Sequence, residues 1–262
     1  MSIKMIVCDL DGTLLRSDKT VSKYTLDMLN KCRSQGVKFA IATARSVIGA
    51  GIFTKVMPPD VLIYNGGAAA VIGGDIIYNQ EICGGTATQI IREILKLGHT
   101  YVFAENDHAF FYNSPGDYPY AMELAHCGLR VVQTDFARGI DEPVHKVRTD
   151  VDMNIAQDIA DKFDCVSIIS YHGESWVRFG HVYGTKWRAV EACAMHLGID
   201  AAEIAAFGDD YNDVEMLKNC GIGVAMANAI PEAKAAANFV CDDNGNDGVA
   251  KWLEENVISG GI

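Results

Sequence analysis

The 262-residue sequence predicts an α/β fold in which a parallel sheet carries helices on both faces and an α+β segment is inserted into it. Apolar runs without alternation, such as residues 5–8, are typical of strands buried on both faces. Near both ends of the chain such runs alternate with helical patterns, which favours parallel strands joined by right-handed crossovers. Between residues 84 and 180 strands follow one another in pairs instead, which indicates an α+β inset.

The first part of the chain predicts three parallel strands and a hairpin. Strands are expected at 5–8, 37–42 and 61–64, and a hairpin over 68–78 turns at Gly73 and Gly74. A helix with Ser22 as its N-cap ends at Gly36, and a shorter helix covers 46–56. Each of the three strands ends in polar residues.

The inset predicts a mixture of strands and helices. Helices are expected at 86–97, 118–127 and 155–163, and strands at 100–104, 108–113, 144–149, 165–171 and 176–180. The α/β rhythm then resumes, with strands at 204–207, 222–225 and 239–241, and helices over 185–196, over 213–219, from Pro231 and from Asp247. We therefore expect a core of residues 1–82 and 181–262 with an inserted domain of residues 83–180, and a core strand order of 3-2-1-4-5-6.

Composition narrows the function classes. The formal net charge of −12 and the lack of a Lys/Arg block argue against nucleic acid or an anionic membrane as a partner. Eight cysteines without a C-x-x-C pair are typical of reduced thiols in a cytoplasmic protein and make a zinc site unfavourable. No apolar run is long enough to span a bilayer, and the first acidic residues come too early for a signal peptide.

Asp9 and Asp11 directly follow the first strand. Because they are two residues apart, their side chains leave an extended backbone on the same side, and Gly12 allows a sharp turn after them. Both carboxylates then point into the crevice at the carboxyl ends of the strands, where α/β proteins bind ligands. A calcium-binding loop is disfavoured, because its glycine would come two residues later and a glutamate would close it.

Three further positions carry polar groups at strand or helix ends. Residues 208–213 (Gly-Asp-Asp-Tyr-Asn-Asp) would repel one another unless a cation or hydrogen bonds compensated them, although a solvated helix start is the simpler alternative. Thr43 ends the second strand, where its hydroxyl can donate to a phosphate oxygen, although a residue of this kind is more often a helix cap. Lys186 opens a helix, where the dipole disfavours a cation unless an anion is near, although a solvated lysine is the common case.

Taken in order, these four positions resemble the motifs of the haloacid dehalogenase (HAD) superfamily. Asp-Leu-Asp-Gly-Thr at 9–13 is similar to the first motif, Thr43 to the second, Lys186 to the third, and residues 208–213 to the fourth, Gly-Asp-x-x-Asn-Asp. The inset lies between the second and third motifs, where the Cof-like, type IIB subfamily carries an α/β cap. The resemblance implies a Rossmann-like, doubly wound core with this cap inserted. Two residues depart from the subfamily pattern, because Ala44 and Trp187 stand where glycine is usual.

The resemblance also implies residue roles. Asp9 is the expected nucleophile, Asp11 the general acid and base, and Thr43 and Lys186 complete the catalytic set. Phosphate or substrate contacts are expected from Gly12, Thr43, Ala44, Arg45, Lys186 and Asn212. The expected cofactor is Mg²⁺, held by Asp9, Asp11 through its main-chain oxygen, Asp209 and Asp213, a set of oxygen ligands that suits this ion.

The implied activity is Mg²⁺-dependent hydrolysis of small phosphorylated metabolites through an aspartyl-phosphate, with sugar phosphates as the favoured substrate class. A phosphomutase of the phosphomannomutase type is the alternative within the same fold, and a catalytically silent phospho-ligand sensor is the alternative outside enzymes. The intact Asp9 and Asp11 pair argues against the sensor. The inset is expected to select substrates, with Tyr118, Tyr120 and Trp176 as aromatic candidates, whereas the sequence sets neither the individual substrate nor the oligomeric state.

Overall fold

A computed structural model describes residues 2–99, 101–112, 125 and 129–260. Internal contacts divide the chain into two units. The first consists of Met1–Ala44, Phe53–Tyr78 and Thr185–Ile262, and the second of Arg45–Ile52 and Asn79–Gly184. The expected helix over 118–127, with Tyr118 and Tyr120, lies outside the described residues apart from the helical residue Ala125.

The described strands, in chain order, are β1 Met5–Cys8, β2 Lys38–Ala42, β3 Val61–Tyr64, β4 Ala69–Ile72, β5 Asp75–Asn79, β6 Val102–Glu105, β7 Ala109–Tyr112, β8 Arg130–Gln133, β9 Lys146–Thr149, β10 Val166–Ser170, β11 Val177–His181, β12 Ile204–Gly208, β13 Ile222–Ala225 and β14 Phe239–Val240. The described α-helices are α1 Lys23–Ser34, α2 Val47–Val56, α3 Gly84–Lys96, α4 Met153–Ala160, α5 Lys186–Leu197, α6 Val214–Asn219, α7 Pro231–Ala236 and α8 Gly248–Leu253.

The first unit contains an eight-stranded sheet in the order β14-β13-β12-β1-β2-β3-β4-β5. The strands from β14 to β3 run parallel, and β4 returns antiparallel beside β3. The six parallel strands therefore confirm the predicted order 3-2-1-4-5-6. Cys8 at the end of β1 pairs with Phe207 near the end of β12, so the residues that follow both strands emerge side by side.

Local sequence signals set the helices that flank this sheet. The Ser22 side chain caps α1 by accepting a hydrogen bond from the Thr25 amide, and Gly198 ends α5 in a left-handed conformation. Strand β1 is buried along its whole length, as expected for a strand covered on both faces. The predicted α/β class is confirmed.

The second unit contains a six-stranded sheet in the order β10-β11-β9-β6-β7-β8. Its pairs are antiparallel except β7 with β8, which is parallel. Residues of α3 and α4 pack with one face of this sheet in an apolar cluster that includes Ile90, Ile159, Val147 and Phe179. The edge strand β8 was not predicted, because only Val131 and Val132 in it are apolar.

No helix within the described residues has the length and apolarity needed to cross a membrane. The seven cysteines in the described ranges are free thiols, and Cys8, Cys32, Cys193 and Cys220 are buried. Burial raises the pKa of Cys220 to about 12, so this thiol stays protonated and unreactive at neutral pH.

Candidate active site

Asp9 lies directly beyond β1 at the carboxyl edge of the core sheet. Its amide donates to the Phe207 carbonyl over 3.0 Å, which continues the pairing of β1 with β12 by one residue. Its side chain is only 8% exposed, so the carboxylate is shielded from bulk solvent. This placement brings Asp9 next to the fourth motif, as the strand order predicts.

The turn after Asp9 is tied to Asp209. Gly12 has a φ of +77°, and a Cβ at this position would overlap the Asp209 carboxylate. The Thr13 hydroxyl donates to Asp209 Oδ1 over 2.8 Å, and Asn228 Nδ2 donates to the Gly12 carbonyl over 2.8 Å. Gly12 is therefore required both for the backbone conformation and for the close approach of Asp209.

Asp11 lies outside the buried acidic group. Its Oδ1 accepts from Lys19 Nζ over 2.6 Å, and the two side chains are 37% and 56% exposed. Its backbone forms an isolated bridge with Leu15, which closes the loop after β1. Asp11 is thus accessible to solvent, whereas Asp9 is not.

Lys186 is completely buried between two carboxylates. Its Nζ donates to Asp9 Oδ1 over 2.7 Å and to Asp213 Oδ1 over 2.6 Å. The preceding residue, Thr185, caps α5, and a Cβ on Gly67 would overlap the Thr185 carbonyl. Burial opposes the positive charge, but Asp213 and Asp9 outweigh it and raise the pKa of Lys186 above its usual range, so the side chain is a permanent cation.

Asp213 is a fully buried acid whose two oxygens are both engaged. Oδ1 accepts from Lys186, and Oδ2 accepts from the amides of Asp209 and Asp210 over 3.0 and 3.1 Å. A Cβ on Gly208 would overlap this side chain. Asp213 therefore orients Lys186 and fixes the turn that carries Asp209.

Carboxylate oxygens of Asp9, Asp209 and Asp213 all lie within 4.8 Å of one another. Burial raises the pKa of Asp9 well above its usual range, with Lys186 acting in the opposite direction and Asp213 and Asp209 adding to the rise. Burial and the nearby Asp213 also raise the pKa of Asp209 to about 7. Three acids thus face one cation, which leaves a charge of −2 when all are ionised. This charge and the oxygen donors fit a divalent hard cation such as Mg²⁺.

The other predicted site residues follow β2 or β12 in the chain. Thr43 is buried at the end of β2, where its amide donates to the Ile63 carbonyl and its carbonyl accepts from Gly66 N, each over 2.9 Å. Asn212 Oδ1 is buried without a hydrogen-bond partner in the described part of the chain, so it can accept from a ligand. Ala44 is half-buried in the first unit, whereas Arg45 belongs to the second. Trp187 is buried in the core, so its bulk is accommodated there.

Several residues that shape the site were not singled out as such from the sequence. Gly67 and Gly208 leave room for the close approach of Thr185 and Asp213. Gly208 is the first residue of the fourth motif, whereas the only sequence signal of Gly67 is its position shortly after a strand. Lys19 contacts Asp11 from later in the same loop, and Asn228 contacts Gly12 from a distant part of the chain. The sequence carries no local signal for either contact.

Comparisons with known proteins agree with this geometry. The model of the family described as haloacid dehalogenase-like hydrolase matches residues 6–253. The chain is 28% identical to phosphoglycolate phosphatase of Natronomonas pharaonis, covering 95% of this chain and 96% of that protein. It is 27% identical to the solved structure of BT1666 from Bacteroides thetaiotaomicron, a phosphatase of this superfamily, with a TM-score of 0.81 and coverage of 97% and 95%.

At 22% identity, the structure of the HAD subclass IIB sugar phosphatase BT4131 superposes with a TM-score of 0.82 over 96% of this chain and 98% of that one, which shows the shared fold. The family match spans both parts of the core sheet and all four motif positions. The chain therefore belongs to the haloacid dehalogenase-like hydrolases.

Proposed function

We propose that this protein is a Mg²⁺-dependent phosphatase that hydrolyses small phosphorylated metabolites through an aspartyl-phosphate on Asp9, with sugar phosphates as the favoured substrate class. The observation that carries the proposal is the group formed by the buried Asp9 and Asp213 and the half-buried Asp209 beside the buried cation Lys186. The phosphatase names of a relative and of two structural neighbours support the substrate class.

Asp9 supplies the nucleophile. One carboxylate oxygen forms a bond to phosphorus, and the bond from phosphorus to the leaving oxygen breaks with its electron pair. Lys186, which already donates to Asp9, holds the carboxylate in place and offsets part of the negative charge of the phosphoryl group. When Mg²⁺ is bound by Asp9, Asp209 and the main-chain oxygen of Asp11, it supplies charge neutralisation of the acids and the phosphate.

Asp11 handles the protons in both half-reactions. It donates a proton to the leaving oxygen, and it then takes a proton from the water that attacks phosphorus and restores the Asp9 carboxylate. Its exposed ion pair with Lys19 is compatible with this role, because such pairs contribute only about 0–1 kcal/mol and open readily. The buried Asp9 and the accessible Asp11 thus have environments suited to different tasks.

The test compares Asp9→Asn with Asp11→Asn in a screen of phosphorylated metabolites that measures free phosphate. Asp9→Asn is expected to abolish turnover while retaining substrate binding, because an amide has neither the charge nor the basicity to attack. Asp11→Asn is expected to slow alkyl phosphates by about 10²-fold to 10⁴-fold and an activated aryl phosphate less, since the aryl leaving group needs no proton. Rapid quench of the parent enzyme should trap a phosphorylated Asp9 peptide.

Two results would contradict the proposal. Turnover by Asp9→Asn at the parent rate would remove Asp9 as nucleophile, and full activity after exhaustive chelation would remove the metal requirement. Transfer of the phosphoryl group to a second sugar position without phosphate release would instead identify a mutase.

A further inference from the structure

The cap sheet of the second unit carries three cations on the face opposite α3 and α4. Side chains on neighbouring strands share a face when their residues are paired in register. Arg178 of β11 pairs with Arg148 of β9, which pairs with Phe103 of β6. On the same face, Lys146 of β9 pairs with Gly180 of β11 on one side and with Glu105 of β6 on the other. Two arginines and a lysine are therefore clustered on a part of the sheet where Glu105 is the paired acid.

These cations are incompletely compensated. Lys146 Nζ lies 3.5 Å from Glu105 Oε2, and Arg148 lies 3.6 Å from the half-exposed carboxylate of Glu174. Arg178 forms no ion pair with a described residue, and the directly opposed Arg148 carries the same charge, which destabilises a strand pair. This arrangement is unfavourable by itself, and a further anion would offset the excess positive charge.

Arg178 is the cation of this cluster with the least compensated charge. It is 2% exposed, and its Nε and Nη1 have no hydrogen-bond partner among the described residues. Within the described ranges, its Nη2 donates only to the Gly184 carbonyl, over 3.4 Å. Since arginine stays protonated and bears five N–H groups, several buried charged donors remain unsatisfied, which is unfavourable without a ligand.

The surroundings hold the guanidinium in place. A Cβ on Gly180 would lie 2.8 Å from Arg178 Nη2, so the glycine leaves the space that the guanidinium occupies. Arg148 lies over the rings of Phe103 and Trp176, at 5.3 and 5.5 Å from their centroids, which fixes the second cation. The strand register places the three cations close together. Burial lowers the pKa of Lys146 to about 8 with the help of both arginine charges, while Glu105 opposes the shift.

We propose that Arg178, with Lys146 and Arg148 beside it, forms a binding site for an oxyanion, a carboxylate or a phosphate group. Arginine matches the planar or tetrahedral oxygens of such groups better than lysine does. Two sources have this chemistry: a second acidic group on the substrate, and free inorganic phosphate. The substrate source rests on the phosphatase activity proposed above, whereas anion binding itself does not.

Equilibrium binding tests the site without turnover. Inorganic phosphate is titrated into the full-length Asp9→Asn chain in the presence of a chelator, and the fluorescence of Trp176, which contacts Arg148, is followed, with Trp176→Phe identifying its signal. Arg178→Met removes the charge at similar volume, Arg178→Lys keeps the charge, and Arg138→Met is the matched control, because Arg138 is 89% exposed on the same unit. Arg178→Met should weaken the Trp176 response about tenfold or more, which corresponds to one charge-assisted hydrogen bond. Arg178→Lys should weaken it less, and Arg138→Met should leave it unchanged.

Kinetics with Asp9 intact distinguish the sources. Glucose 6-phosphate and 6-phosphogluconate share a phosphate and a six-carbon chain and differ by one carboxylate. If the anion is a substrate group, Arg178→Met lowers kcat/KM for the acid about tenfold or more and for the sugar less than threefold. If the anion is free phosphate, the ratio of the two substrates stays constant while phosphate binding weakens.

Thermal unfolding without anions supplies the readout that separates a binding role from a structural one. The proposal predicts that Arg178→Met melts at or above the parent temperature, because an uncompensated buried charge has been removed. Phosphate binding equal to the parent, an unchanged substrate ratio and a lower melting temperature for Arg178→Met would together overturn the proposal. Because binding is measured without turnover, a chain with no phosphatase activity would still test the anion site.

Discussion

Replacing Asp209 by Asn is expected to stabilise the metal-free protein at neutral and alkaline pH. Burial and Asp213 raise the pKa of Asp209 from 3.8 to about 7. In the folded state Asp209 therefore binds a proton more tightly than in the unfolded chain, so the free energy of unfolding falls as the pH rises from about 4 to about 7. The shift corresponds to at most about 4 kcal/mol, since one pKa unit is about 1.4 kcal/mol. We expect Asn to recover about 2–4 kcal/mol, because part of the repulsion is shared with Asp9 and Asp213.

The measurement is urea-induced unfolding of the parent and Asp209→Asn in chelator, at pH 5 and pH 8. The variant should be the more stable of the two at pH 8, and the difference should shrink at pH 5, where Asp209 is already protonated in the parent. Added Mg²⁺ should stabilise the parent at pH 8 through binding to the folded state alone and should stabilise the variant much less. Asp75→Asn is the control, because Asp75 is an exposed acid of the same unit at the start of β5.

A lower stability of Asp209→Asn than of the parent in chelator at pH 8 would contradict this prediction. That result would mean that the hydrogen bond from Thr13 outweighs the repulsion and desolvation of the Asp209 carboxylate. An equal Mg²⁺ response in both proteins would instead place the cation elsewhere.

Three further expectations concern Gly12, Lys186 and Lys146. Gly12→Ala should lower the free energy of unfolding by about 1–3 kcal/mol and should lower activity more strongly, because φ is +77° and the methyl group would displace Asp209. Urea unfolding measures the stability and phosphate release measures the activity. Values equal to those of the parent would contradict this expectation. Lys186→Met should destabilise the fold by about 3–5 kcal/mol at pH 8 and less at pH 5, because it leaves Asp9 and Asp213 buried without a cation; equal loss at both pH values would show that packing dominates. The pKa of Lys146 is about 8 in the folded state and 10.5 ordinarily, so between these pH values the unfolded chain binds a proton that the folded chain does not. Unfolding titrations should therefore show that the stability of the parent rises by about 3 kcal/mol relative to Lys146→Met from pH 8 to pH 10.5. A difference that stays constant over this range would refute the shift.

The core sheet could be predicted because its strands are buried on both faces. Residues 5–8, 204–207 and 222–225 are apolar without interruption, and polar residues follow the first two at once, so both the strand type and the functional edge are evident from sequence. The inset was predicted less completely. The short edge strand β8 offers only two apolar residues between polar ones, a pattern that short-range periodicity does not separate from a loop.

The candidate site could be predicted where a residue type is tied to a strand end, as for Asp9 and Asp209, or to a helix start, as for Lys186. Lys19, which pairs with Asp11, could not, because its contact depends on the conformation of a loop in which Lys19 itself has a φ of +63°. The anion-binding group of the second unit was also hidden. The alternation in Val-Arg-Phe-Gly-His at 177–181 suggests a strand with Arg178 on a solvated face, and only the three-dimensional structure shows that this arginine is buried opposite a second one.

The acidic cluster around Lys186 and the cationic cluster around Glu105 each have an excess of one sign of charge, and the two signs are opposite. The acids around Lys186 retain a negative excess, and the cations around Glu105 retain a positive one. Neither group is favourable by itself, because buried like charges repel and are poorly solvated. Apolar burial in the two sheets must offset this penalty in the free protein, whereas a bound divalent cation or oxyanion would remove it. A substitution that neutralises Asp209 or Arg178 should therefore raise the stability of the free protein and weaken ligand binding together, and this opposite change distinguishes a ligand-binding residue from a structural one.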